Sequence, residues 1–143
     1  MLIKEESSRN AMILVVDDEP ATQQLIAHIL RRNHYDVIQA SNGQEALAQL
    51  SKAAGRVSLI ILDVAMPVMD GFEFRALQRE TPEIAHIPVL VVTSRQSFDK
   101  DIRFLKAGAY LKKPIESALL LETVRMHALT LDESQQAPLS RAA

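Results

Sequence analysis

Met12-Ile-Leu-Val-Val-Asp-Asp-Glu-Pro20 and Ser58-Leu-Ile-Ile-Leu-Asp63 decide the fold. Each is a short apolar run that breaks off at a carboxylate, and an all-apolar run of strand length suits a strand covered on both faces. Between the two, Pro20 to Asn33 places Leu25, Ile26, Ile29 and Leu30 on one helical stripe. Tyr35 to Gln39 reads as a weaker strand nearer an edge. Ser41 and Gln44 have the spacing of a capping box that opens a helix running through Leu50. Beyond Asp63 a loop punctuated by Pro67 and Gly71 leads into a helix over about Phe72 to Arg79, with Asp70 as its N-cap and Thr81-Pro82 as its stop. Pro88 to Val92 is the fourth strand. A fourth helical segment, Phe98 to Ala107, is expected to end on Gly108 as its C-cap. Ala109 to Leu111 is a short fifth strand, and a last helix spans Glu116 to Leu131. Five strand-helix units in alternation define an α/β domain with a parallel sheet.

The whole chain has 143 residues, enough for one domain with a real core. The expected organisation is a flexible segment over 1–10, a domain over 11–131, and a flexible tail or linker stub over 132–143. With no Cys there is no disulfide framework, thiol catalysis or Cys-ligated zinc. Sixteen Lys and Arg against 18 Asp and Glu leave a net charge of −2, which argues against a basic nucleic-acid footprint. Aromatics at 4% argue against a base-stacking platform. No apolar run approaches the roughly 20 residues that cross a bilayer. A soluble protein of the cytoplasm, with neither membrane nor direct nucleic-acid contact, is the expectation.

Ligands of open parallel sheets bind beyond the carboxyl ends of the strands. Asp17, Asp18 and Glu19 follow strand one, Asp63 follows strand three, Thr93 and Ser94 close strand four, and Lys112 and Lys113 follow strand five. Carboxylates drawn to about 4 Å repel by roughly 4 kcal/mol per pair at an effective dielectric near 20, so three of them call for a cation. Oxygen ligands in a shallow crevice suit Mg²⁺. A carboxylate, a divalent ion, a lysine and a hydroxyl together are what placing a phosphoryl group on an Asp requires.

These motifs, Val15-Val-Asp-Asp-Glu-Pro20, Ile61-Leu-Asp-Val-Ala-Met-Pro-Val-Met-Asp-Gly71, Pro88-Val-Leu-Val-Val-Thr93 and Lys113-Pro114, make residues 11–131 resemble the receiver domains of two-component response regulators. The resemblance implies a flavodoxin-like three-layer sandwich with strand order 2-1-3-4-5. It implies Asp63 as phosphoacceptor, served by a histidine kinase or histidine phosphotransfer protein. Mg²⁺, with Mn²⁺ as a substitute, would be ligated by Asp18, Asp63 and the backbone carbonyl of Ala65, and by Asp17 through water. Thr93 and Lys113 would contact the phosphoryl oxygens, and Lys113-Pro114 would be cis. Thr93 and Tyr110 would form the switch that alters the surface of the fourth helical segment, strand five and the last helix. That surface would control a downstream protein or attached output domain, or a homodimer. The chain departs from the family in a shortened connection at Gly108-Ala-Tyr110, and carries Arg95 at a position where relatives vary.

Blander readings apply elsewhere. His28, His34, His86 and His127 lack ligand spacing and suit surface or capping positions; Met66 and Met69 suit loop packing. Glu19 suits either metal-bound water or the helix-one N-terminus. Leu119, Leu120, Leu121, Val124, Met126, Leu129 and Leu131 spread around more than one helix face, which fits surplus core or a docking surface. Three rivals compete with the phosphorylation switch. A silent adaptor of the same fold would not need all five polar residues. A dehalogenase-like phosphohydrolase uses Asp-x-Asp on one strand, and a dinucleotide or flavin protein needs a Gly-rich turn after strand one. The expectation is a switch that catalyses only its own phosphorylation and slow dephosphorylation.

Overall fold

A computed structural model of the chain describes residues 11–53, 55–94 and 105–128. The elements are β1 (Met12–Val16), α1 (Pro20–Arg32), β2 (Asp36–Ala40), α2 (Gly43–Ala53), β3 (Val57–Leu62), α3 (Gly71–Glu80), β4 (Val89–Thr93), β5 (Ala109–Lys112) and α4 (Ser117–His127). The expected helical segment Phe98 to Ala107, Arg95, Leu129, Leu131 and the proposed terminal segments lie wholly or mostly outside the described residues.

All strand pairs are parallel and the sheet order is β2-β1-β3-β4-β5. Alternation along the strands divides the core into two. Leu14, Val16, Ile60, Leu62, Val89 and Val91 face Ala46, Leu50 and Phe74 of α2 and α3. Ile13, Val15, Leu59, Ile61, Leu90 and Val92 face Ile26, Ile29 and Leu30 of α1 and Leu120 and Val124 of α4. Period-2 alternation in apolar strands thus gives the three layers. Every residue of β3 is buried, as a central strand requires. β2 is half-buried along most of its length, which fits an edge.

Two helix ends differ from expectation. Asn42, not Ser41, caps α2: its Oδ1 accepts from Glu45 N at 2.9 Å, while Glu45 Oε1 accepts from Ser41 N at 2.7 Å. The acidic partner wins over Gln44 because a charged acceptor binds orphan backbone N–H groups more strongly. Gly108 is not a left-handed C-cap; Lys106 takes the positive φ of 50° instead. Gly108 already belongs to the approach to β5, its N–H donating to Val89 O at 2.9 Å. His34 fills a capping position as expected, left-handed at φ 71° after α1. Asp70 caps α3 with a full capping box to Glu73.

Side chains of α3 secure the opposite end of the sheet from the strand carboxyl termini. Buried Gln78 donates through Nε2 to Ile84 O and Ile87 O, at 3.0 and 2.9 Å. Arg75 donates to Gln78 Oε1, to Leu105 O and to Lys106 O at 2.7, 2.7 and 2.9 Å. The connection leading into β5 is thereby tied to α3.

Candidate functional site

Each strand of the crevice delivers its polar residue where the apolar run stops. Asp17 and Asp63 are almost fully buried, at 1% and 5% exposure, whereas Asp18 is exposed. One carboxylate oxygen from each of Asp17, Asp18 and Asp63 lies within 4.8 Å of the others, the one such acidic group among the described residues. Two ligands of one Mg²⁺ at about 2.1 Å lie at most about 4.2 Å apart, so closure around an ion takes only a small shift. The donor set fits a hard divalent cation.

Lys113 crosses toward this group from the end of β5. Its Nζ stands 3.0 Å from Asp17 Oδ2, 3.6 Å from Asp63 Oδ2 and 3.7 Å from Glu19 Oε1. Lys112 is exposed on the other side of the strand, as alternation dictates. Burial works against the Lys113 charge, but the hydrogen bond to Asp17 and the nearby Asp63 and Glu19 carboxylates outweigh it and hold the ammonium above its ordinary range. Asp63 shows the converse. Burial first, then the Asp17 charge, push its carboxyl up to about 7 despite Lys113 and the Val64 N–H. One lysine does not compensate three carboxylates. Glu19 accepts from the Thr22 hydroxyl and faces Lys113, and both lower its pKa.

Backbone geometry holds Asp63. Its Oδ1 accepts from Val64 N at 2.8 Å, and its own N–H donates to Val16 O at 2.9 Å. Gly71 N donates to Val64 O at 2.8 Å. A Cβ on Gly71 would lie 2.7 Å from Asp63 O and 2.8 Å from Val64 Cα, so only glycine lets α3 start this close to the phosphoacceptor candidate.

Thr93 is fully buried and its Oγ1 has no hydrogen-bond partner. An orphan buried hydroxyl at the end of a strand is costly unless a ligand completes it. Its carbonyl accepts from Lys113 N at 2.9 Å, which fixes the two strand ends together. The Lys113-Pro114 bond is cis, as expected. Tyr110 lies lower on β5, paired with Val91, and its hydroxyl accepts from Ala107 N at 3.0 Å. Tyr110 is therefore half-buried and tied to the connection before β5, away from the crevice.

The crevice measures about 400 Å³ and is lined by Asp18, Glu19, Asp63, Ala65, Ser94 and Lys113. A larger cavity of 460 Å³, among Leu47, Leu50 and Ile84, has Glu83 as its one charged wall residue and lacks convergent chemistry. Charge, rather than size, identifies the site. Sequence reasoning missed the roles of the Val64 N–H and of Gly71. Gln23 was missed as well: one turn into α1, its Nε2 donates to Asp17 O at 2.7 Å, a side-chain contact to a backbone carbonyl outside the helix that no sequence spacing signals.

A parallel three-layer sandwich with a lysine-paired acidic crevice at its strand ends is the flavodoxin-like class of α/β protein. Residues 13–125 match the response regulator receiver domain model, and the chain belongs to that family. It is 36% identical over 132 residues to the response regulator PleD of Caulobacter vibrioides, covering 89% of this chain and 29% of that protein. The chain thus spans under a third of that relative's length. Among solved structures it is similar to the chemotaxis response regulator CheY4 of Vibrio cholerae (34% identity, TM-score 0.73, 82% of this chain and 98% of that one). It is also similar to the response regulator TrrA of Thermotoga maritima in complex with Mg²⁺-BeF (30% identity, TM-score 0.69, 80% and 96%). No helix among the described residues is long and apolar enough to cross a membrane.

Proposed function

We propose that this receiver domain, over residues 11–131, is a phosphorylation-controlled switch with Asp63 as its phosphoacceptor. The observation that carries the reading is the convergence of Asp63, Asp17 and Asp18 within 4.8 Å, with Lys113 Nζ 3.6 Å from Asp63. Asp63 is the one carboxylate of the three that is buried at the end of the central strand with a backbone N–H orienting it. A carboxylate oxygen of Asp63 attacks phosphorus and a P–O bond forms while the P–N bond to the donor's phosphohistidine breaks, its electron pair going to that nitrogen; with the other ring nitrogen protonated, the products are an acyl phosphate and a neutral imidazole. Asp18, Asp63, the Ala65 carbonyl and, through water, Asp17 would hold Mg²⁺, which when bound would supply charge neutralisation for the phosphoryl oxygens. Lys113 pairs with one of those oxygens, and the Thr93 hydroxyl donates to another, which satisfies its orphaned Oγ1.

The donor is a histidine kinase or histidine phosphotransfer protein, and the readout is a downstream partner or output domain in the cytoplasm. The domain turns over no metabolite. Exposure to acetyl phosphate or phosphoramidate with Mg²⁺, followed by intact-mass measurement, tests this. The expected result is one phosphoryl adduct that requires Mg²⁺ and is absent in Asp63→Asn. No adduct under conditions that modify a control receiver refutes it and favours a silent adaptor.

A further inference from the structure

We infer that Gln23 is a positioning residue for the cation site, acting through the backbone of Asp17; this rests on the reading of the crevice given above. The turn Asp17-Asp18-Glu19 carries two of the three carboxylates, yet the helix that follows it lacks a side-chain cap. Glu19, at the N-cap of α1, makes no side-chain capping hydrogen bond, and Pro20 follows it. The Glu19 carboxylate is engaged instead with Thr22 and Lys113.

Gln23 takes over. Its Nε2 donates to Asp17 O at 2.7 Å and to Ala40 O at 3.1 Å, so one amide bridges the ends of β1 and β2. Both acceptors are carbonyls, which fixes which end of the amide faces them. Its Oε1 accepts from Gln39 Nε2 at 2.6 Å, and the backbone carbonyl of Gln39 accepts from Gln49 Nε2 at 3.1 Å. A chain of amides from β2 and α2 thus ends on the peptide that carries Asp17. That peptide sets where the Asp17 carboxylate points, with Oδ1 on Glu19 N at 2.9 Å and Oδ2 on Lys113 at 3.0 Å. It also sets where exposed Asp18 begins. Asp18 is the ligand that most needs this support, because nothing buries it.

Groups that orient ligands typically control metal affinity by about 10- to 100-fold. Here the act is indirect, through one backbone carbonyl, and the lower end applies. Gln23→Met keeps the length of the side chain and deletes its donor and acceptor. The expected result is about tenfold weaker Mg²⁺ binding, read by calorimetry and by amide chemical shifts of Asp17 to Glu19. Mg²⁺-dependent phosphorylation by phosphoramidate should show the same increase in half-saturating Mg²⁺, with the rate at saturating Mg²⁺ unchanged. Gln39→Leu, which removes the amide that orients Gln23 without touching Asp17, should give a smaller change in the same direction. It carries the test should Gln23→Met fail to fold. Mg²⁺ affinity equal to wild type in folded variants of both overturns the role, whatever happens to their melting temperatures. Wild-type protein that binds no Mg²⁺ overturns the reading of the site itself, and the role with it.

Discussion

Asp63→Asn should stabilise the metal-free protein, and by an amount that depends on pH. Burial and the Asp17 charge raise the Asp63 pKa from 3.8 to about 7. An acid with a raised folded-state pKa binds more protons folded than unfolded, so the stability it contributes is present below about 3.8 and is lost as pH rises through about 7. A shift of about 3 units corresponds to about 4 kcal/mol at about 1.4 kcal/mol per unit. The crevice opens to solvent, and screening halves that to about 2 kcal/mol. Asn keeps the acceptor for the Val64 N–H and removes the charge. Urea denaturation followed by circular dichroism, with chelator present, should therefore find the variant about 2 kcal/mol more stable than wild type near pH 8, and little different near pH 4. Adding Mg²⁺ near pH 8 should narrow the gap by stabilising wild type more than the variant, which lacks one of the carboxylates. A variant no more stable than wild type near pH 8, or a gap independent of pH, would refute the claim that the carboxylates are held against mutual repulsion.

Other perturbations have equally definite outcomes. Gly71→Ala places a methyl 2.7 Å from Asp63 O; chemical denaturation should show a loss of about 2–3 kcal/mol, and amide shifts of Asp63 and Val64 should move. Val68 is exposed and β-branched at φ 68°, so Val68→Asn should raise stability by about 1 kcal/mol in the same assay. Gln78→Leu strips the donor from Ile84 O and Ile87 O in a buried site; a loss of about 2–4 kcal/mol is expected, with the Mg²⁺ dissociation constant unchanged.

The strands were legible because their chemistry is redundant. In β3 all six residues are buried, so the assignment survives an error of one residue at either end. Helix ends have no such redundancy. Ser41-x-x-Gln44 and Asn42-x-x-Glu45 are the same pattern offset by one, and both pairs are present in the chain. Which pair caps α2 is decided by acceptor strength, the Glu45 carboxylate against the Gln44 amide, and spacing alone does not show it. Gly108 misled for a related reason: the connection into β5 is shaped by Arg75 on its neighbour α3, which draws on Leu105 O and Lys106 O. The left-handed residue then falls at Lys106 rather than at the nearest glycine.

The acidic crevice was legible for a topological reason. In a parallel sheet every strand ends on the same edge, so a list of the residues after each apolar run is already a list of neighbours in space. What escaped that list acts through the backbone: the Val64 N–H, the absent Cβ of Gly71 and the carbonyl that Gln23 grips. The same topology bears on how the domain responds. Neighbouring strands lie about 4.8 Å apart, and three such steps separate β1 from β5. Lys113, issuing from β5, nevertheless reaches Asp17 beyond β1 at 3.0 Å, so its side chain and that of Asp17 lean together over the ends of β3 and β4. Under the function proposed above, a phosphoryl group on Asp63 enters that span and draws Lys113 and Thr93 toward its oxygens. Asp17 and Asp63 sit on strand ends whose residues are buried, while β5 is short and only half-buried. On that reading the displacement would fall on the strand with least packing to resist it, and so on the face that β5 shares with α4.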